Sequence, residues 1–311
     1  MNKKFILISL MLFIFSIFPN SVLYSAEPYD NAGSSGFAFL KINGSTRSAA
    51  MGGTGVASDF SFAINPASYA NIDRGISTSY QNLILSTHIG ELSFRLPSNY
   101  GNFAFSIKYL TSPDIPKRDE TGGDIGSFSY SIVMPEVVYS KKFFDEIDIG
   151  IEGKFLYSSV DQYNATAIAF GFGAKYAVKE FPGLYIGAAV DNLGTQMSAY
   201  LSEKDPLPFK ITGGASYITQ IFNVNLDIFK STDTNLFWAL GLEGNPHEMI
   251  ALRFGYSSKG FEWKTGGSTE ILGGMTFGAG IFWKNFSFDY AVIPMVDLGW
   301  SHKLGLALTL N

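Results

Sequence analysis

From about residue 75 to the C-terminus, apolar and polar residues alternate one by one, and this pattern constrains the fold more than any other feature of the chain. Phe222, Val224, Leu226 and Ile228 oppose Asn223, Asn225 and Asp227; Phe103, Phe105, Ile107 and Tyr109 oppose Ala104, Ser106 and Lys108. Leu304, Leu306, Leu308 and Leu310 oppose Gly305, Ala307 and Thr309. A period of two places alternate side chains on opposite faces of a strand, whereas a helix would repeat at 3.6. The pattern predicts strands over 75–86, 89–97, 101–111, 126–140, 146–158, 164–178, 183–192, 207–219, 222–230, 235–244, 248–257, 269–283, 285–293 and 299–310. Most are close to the roughly 9–11 residues with which a tilted strand crosses a bilayer. A soluble sandwich also alternates. It does not need an apolar face on every strand with so many Gly and Ser opposite. The expected fold is all-β: a closed antiparallel transmembrane barrel of about 14 strands, spanning 75–311, with an N-terminal hatch or plug segment.

The connections fall into phase with this reading. The turns at 97–100, 143–145, 181–183, 220–221, 245–247 and 284–285 are short, and they alternate with connections that include the long ones at 112–125, 193–206 and 258–268. Transmembrane barrels have short periplasmic turns and longer external loops. Lys3 and Lys4 followed by an apolar run from Phe5 to Pro19 and the small pair Ser25-Ala26 predict a signal peptide over residues 1–26. That run is too short to span a bilayer as a helix, and Gly273, Gly274, Gly278 and Gly280 interrupt the most apolar later stretch. Export by this signal and the barrel pattern together predict a bacterial outer-membrane location, with membrane lipid as a partner.

Only 16% of residues are charged, against about 25% in a soluble domain. The net charge of −5 disfavours nucleic acid as a partner. With no Cys, a thiolate metal site, a thiol nucleophile and a disulfide scaffold are excluded. Gly52-Gly53-Thr54-Gly55 lacks the following Lys and the βαβ setting of a phosphate loop. On the predicted strands His88 and His247 fall at opposite ends of the barrel, too far apart to share a site. His88 and His302 can approach, because first and last strands are neighbours in a closed barrel; polar interface histidines are the simpler reading. No enzyme, cofactor or metal is expected.

Residues 27–74 precede the barrel. Small residues cluster at Ser48-Ala49-Ala50, Gly52-Gly53 and Gly55, which lets a backbone pack closely in a confined space. Asn65-Pro66-Ala67 is a turn signal. Met51, Val56, Phe60, Phe62 and Ile64 argue against a surface linker. The run Arg47-Ser48-Ala49-Ala50-Met51-Gly52-Gly53-Thr54-Gly55-Val56-Ala57, followed by Asp59, Ala63 and Asn65-Pro66-Ala67, resembles the N-terminal signature of PorV/PorQ-type proteins among the FadL-like outer-membrane barrels. The ending from Asp297 to Leu306 is similar to their last strand. The resemblance implies a 14-stranded barrel closed by a hatch built on Arg47, Gly52, Gly53, Asp59, Asn65, Pro66 and Ala67. It also implies either passive transport of small hydrophobic compounds or, as the alternative, a PorV-like role that binds secreted proteins of type IX secretion.

Inside the barrel, the charged inward positions include Glu91, Arg95, Lys108, Glu152, Asp227, Glu243 and Arg253, with Asp148, Lys154, Asp191 and Lys210. Both signs occur, so mutual pairing is expected, with a selectivity ring the sharper alternative. Pro135 interrupts the strand at 126–140: Phe128, Tyr130, Ile132 and Met134 precede it, and Val137 and Tyr139 follow on the opposite parity. A proline with a phase switch predicts a bulge and a candidate lateral opening in the wall.

Overall fold

The computed structural model describes residues 29, 31–42, 44–60, 62–263 and 268–310. The predicted signal peptide over 1–26 lies outside the described residues. The chain forms β1 (Gly75–Asn82), β2 (His88–Leu96), β3 (Asn102–Thr111), β4 (Ile115–Arg118), β5 (Asp124–Phe128), β6 (Tyr130–Phe144), β7 (Ile147–Val160) and β8 (Tyr163–Ala177). It continues through β9 (Leu184–Ser198), β10 (Lys210–Ile218), β11 (Phe222–Ser231), β12 (Phe237–His247), β13 (Ile250–Ser257), β14 (Met275–Trp283), β15 (Phe286–Pro294) and β16 (Trp300–Thr309). All except β4 and β5 pair with their neighbours in chain order, and β1 pairs with β16, closing a 14-stranded antiparallel barrel. β4 and β5 form a separate hairpin inside the connection from β3 to β6.

The wall has an apolar exterior. Ile76, Leu92, Phe105, Ile107, Ile151, Phe155, Phe172, Leu226, Ile228, Leu252 and Ile281 are all exposed, while their sequence neighbours Ser93, Ala104, Glu152, Lys154, Asn225 and Asp227 are buried. Only lipid makes that inversion favourable, and closure satisfies every edge that lipid would leave unpaired. The protein is therefore a transmembrane β-barrel. The turns 145–146, 219–221, 248–249 and 284–285 fall at one end, and the long connections 112–129, 199–209 and 258–274 fall at the other, together with the short turn 161–162.

Four expectations change. The strand predicted at 183–192 runs on to Ser198 as β9, into the stretch read as a long connection. The strand predicted at 126–140 divides into β5 and β6, because residues 115–128 fold back as their own hairpin. The strand predicted at 269–283 starts at Met275, after a 3-10 turn at Ser268–Leu272. The bulge predicted at Pro135 is absent: Val133 pairs with Tyr157 and Glu136 with Lys154, so the register is the same on both sides. Ile132 and Met134 are buried and Val133 and Val137 exposed, which puts Pro135 on the outer face without any change of phase. The apolar residues before Pro135 point inward because the lumen at that level is itself apolar. True bulges occur between β8 and β9, where Phe170 pairs with Leu193 and Phe172 with Val190, leaving Asp191 and Asn192 opposite one residue.

Candidate functional site: an apolar chamber above a charged lumen

The N-terminal segment packs against inward-facing strand residues. A helical turn at Thr46–Ala49, capped by the Ser45 hydroxyl, contacts β14, β15 and β16. Gly52 and Gly53 take left-handed φ values of 71° and 82°. Gly52 N–H donates to Thr276 Oγ1 at 2.8 Å. Opposite it, a Cβ on Gly255 would lie 1.9 Å from Gly52 N, so only glycine permits this approach. Gly150 meets the backbone of Pro66 and Gly187 that of Val56 in the same way.

Of the predicted hatch motif, Arg47, Gly52, Asp59, Asn65, Pro66 and Ala67 meet strand residues, while Gly53 N–H donates to the Ser48 carbonyl within the segment. The Arg47 guanidinium grips Glu243 through Nε at 2.7 Å and through Nη2, and stacks over the Phe60 ring at 4.1 Å. Asp59 pairs with Lys175, which also reaches Asp148 at 3.1 Å. Asn65 caps the 3-10 turn Pro66–Asn71: its Oδ1 accepts from Ala67 N–H at 2.9 Å, and its Nδ2 donates to the carbonyls of Val56 and Ala174. Asn65-Pro66-Ala67 thus ties one turn of the segment to another and to β8.

Glu152, Lys154, Asp191, Lys210, Asp148, Glu243 and Arg253 form ion pairs, whereas Asp227, Lys108 and Arg95 meet backbone groups or rings. Glu243 also receives Arg253 Nε at 2.7 Å and Asn223 Nδ2 at 2.6 Å, and Arg253 continues to Asp289 at 2.6 Å. Lys154 sits among Glu152 at 2.6 Å, Asp191 at 2.7 Å and Glu136 at 3.8 Å, and Lys210 reaches Asp191 at 3.3 Å. Lys108 Nζ donates to the Ile42 carbonyl and faces the Phe39 ring at 4.9 Å. Arg95 lies over the Phe62 ring at 5.6 Å. Glu91 and Arg95, with Arg47, Phe62, Tyr69 and Asp289, line a cavity of about 450 Å³ with both charged and aromatic walls. It reaches towards the short-turn end through Ile218 and Phe282.

Asp227 accepts the backbone N–H groups of Gly55 and Val56 at 2.7 and 2.9 Å. Asp227→Ala would orphan two buried donors, at about 1–3 kcal/mol each. We expect residues 45–60 to become protease-sensitive in that variant while the barrel keeps its heat-modifiable gel mobility.

Above the charges the lumen is apolar. Phe37, Phe39 and Leu40 of the N-terminal segment are buried in a cluster with Ile89, Leu110, Ile132, Met134, Leu156, Ala165, Ala167, Ala169 and Leu207. The three alanines leave β8 recessed, which makes room for the two phenylalanines. This chamber is the part that the alternation did not reveal; its signal was apolar residues on both faces of β6. Met134 and Leu156 form its wall where the β6–β7 ladder is interrupted, since Met134 and Pro135 have no partner on β7. Proline has no N–H to give. The gap in the ladder and the chamber are thus the same place.

The segment is also tied to the long-loop end. Lys41 Nζ donates to Asp233 at 2.7 Å, and the Asp233 carboxyl is buried. Burial opposes its ionisation, but the Lys41 ammonium and the Ser231 hydroxyl outweigh this and hold its pKa below the ordinary value. A carboxyl depressed in the folded state stabilises it fully above the unfolded pKa of about 4, and the contribution fades as pH falls further. Proteolysis around residues 31–42 is expected to be unchanged between neutral pH and pH 5 and to rise only below about 4; Asp233→Asn should remove that step.

Of the three histidines, His88 opens β2 and His302 lies in β16, both on the outer face and neither in the lumen. His247 is the last residue of β12, beside the short turn at the opposite end of the barrel.

The barrel is similar in fold to solved hydrocarbon channels and transporters. It is similar in fold to the Ralstonia pickettii toluene transporter TbuX, at 15% identity and a TM-score of 0.59 over 86% of this chain and 98% of that one. The Pseudomonas putida toluene transporter TodX gives 11% identity and 0.58 over 92% and 98%. A Pseudomonas aeruginosa FadL homologue gives 11% and 0.54 over 86% and 98%. No family model and no curated protein matches the sequence.

Proposed function

We propose that the protein is a FadL-like outer-membrane channel that passes small hydrophobic compounds passively from outside into the membrane. Residues 27–74 act as its hatch. The observation that carries this reading is the apolar chamber itself, floored by paired charges and walled by the interrupted ladder at Pro135. A greasy molecule gains by entering the chamber and is opposed by the charged layer below it. The remaining route is sideways, between β6 and β7, into lipid. Phe37, Phe39 and Leu40 occupy the chamber as stand-ins for the ligand and leave when it enters. The similar structures described as toluene transporters support this reading; the secretion alternative, with secreted proteins as partners, gains no support from them.

Pro135→Val supplies the missing N–H and restores the ladder. Uptake of toluene or a fatty acid into proteoliposomes is expected to slow by about fivefold as the gap closes, with insertion unchanged. Unchanged uptake in a correctly inserted variant removes Pro135 from the path.

A further inference from the structure

The outer face of the closing seam carries a row of hydrogen-bonding side chains that channel function does not use. Thr111, His88, Asn82, His302 and Val292 are successive register partners across β3, β2, β1, β16 and β15. Two residues further down each strand, the row reads Tyr109, Gly90, Tyr80, Leu304 and Tyr290. The next is Ile107, Leu92, Thr78, Leu306 and Phe288. The wall therefore passes from apolar, through a tyrosine girdle, to a polar row at the long-loop end. Tyrosine marks the depth at which hydrocarbon gives way to headgroups, so the polar row stands at headgroup level.

The two histidines are held alike. Tyr80 Oη lies 2.7 Å from His88 Nδ1, and Tyr290 Oη lies 2.7 Å from His302 Nδ1. The rings are stacked in both pairs, with interplanar angles of 21° and 13°. We assign each tyrosine hydroxyl as the donor, which places the imidazole proton on Nε2, free to donate. Neighbouring strands lie about 4.8 Å apart, so the two rings flank Asn82 over about 10 Å. No carboxylate stands in the row. A surface of N–H donors at this depth fits an oxyanion rather than an ammonium group.

We propose that this row binds the phosphate-bearing headgroup of an outer-leaflet lipid, with His88, Asn82 and His302 as its ligands and Tyr80 and Tyr290 as positioning residues. The site is independent of the chamber and of any transported compound. Native mass spectrometry of the full chain in detergent, with lipid A or its dephosphorylated analogue added at equal concentration, tests it. The wild type is expected to retain lipid A at least about fivefold more than the analogue, and H88F/H302F to retain both equally. Asn82→Leu, which leaves both Tyr–His pairs in place, should lower the preference and serves as the second variant if the first does not insert. No preference in the wild type, or the same preference in every inserted variant, overturns the site.

Discussion

Gly255→Val is expected to convert a closed barrel into an open pore. The new Cβ alone would come within 1.9 Å of Gly52 N and 2.2 Å of Met51 C, and both are backbone atoms that no side-chain rotation can move aside. The N-terminal segment must therefore leave β13. Its withdrawal strains the Arg47–Glu243 fork and the two bonds to Asp227, since all hold the same short stretch. A 14-stranded barrel relieved of this segment encloses space for water, so on the proposed hatch role single-channel conductance in planar bilayers should rise by on the order of tenfold or more. Gly213, on the outer face with nothing within reach of a Cβ, supplies the control: Gly213→Val should leave conductance unchanged. An equally low conductance in Gly255→Val would show that the segment does not close the lumen.

Leu156→Asp should abolish hydrophobic uptake while leaving the barrel inserted. Leu156 is fully buried in the chamber wall beside the interrupted ladder. A carboxylate there meets Phe39, Met134 and Ile132, none of which can solvate it, and imposes several kcal/mol against an apolar ligand. At about 1.4 kcal/mol per tenfold, that lowers uptake by at least about a hundredfold. Leu156→Met, close in volume, should stay near wild type.

The strands, their number in the barrel and the alternation of short and long connections were legible because lipid and lumen impose a strict two-sided choice on each residue. The rule fails where the lumen is also apolar. Ile132 and Met134 point inward yet look like lipid-facing residues, so they imitated a phase switch at Pro135 and hid the chamber. The same misreading kept Glu136 off the inward charges, although it neighbours Lys154. Lys175 was visible in principle, on the parity of Ala165, Ala167 and Ala169, but nothing local distinguished it as the partner of Asp59. Phe37, Phe39 and Leu40 carry no periodicity, and their destination depends on distant strands, from Ile89 on β2 to Ala169 on β8. The composition from Arg47 to Ala67 pointed to a compact segment. It could not show that Asp227 would bind two of its backbone amides, because Asp227 reads simply as one polar residue in an alternating strand.

Uptake by proteoliposomes tests the central claim most directly. Vesicles with and without the wild-type protein are given radiolabelled toluene, a long-chain fatty acid and, as a polar reference, a disaccharide. The account predicts that the protein accelerates entry of at least one hydrophobic compound, that Leu156→Asp removes this acceleration, and that the disaccharide is excluded throughout. Equal entry with and without the protein for every hydrophobic compound, or acceleration that survives Leu156→Asp, would contradict it.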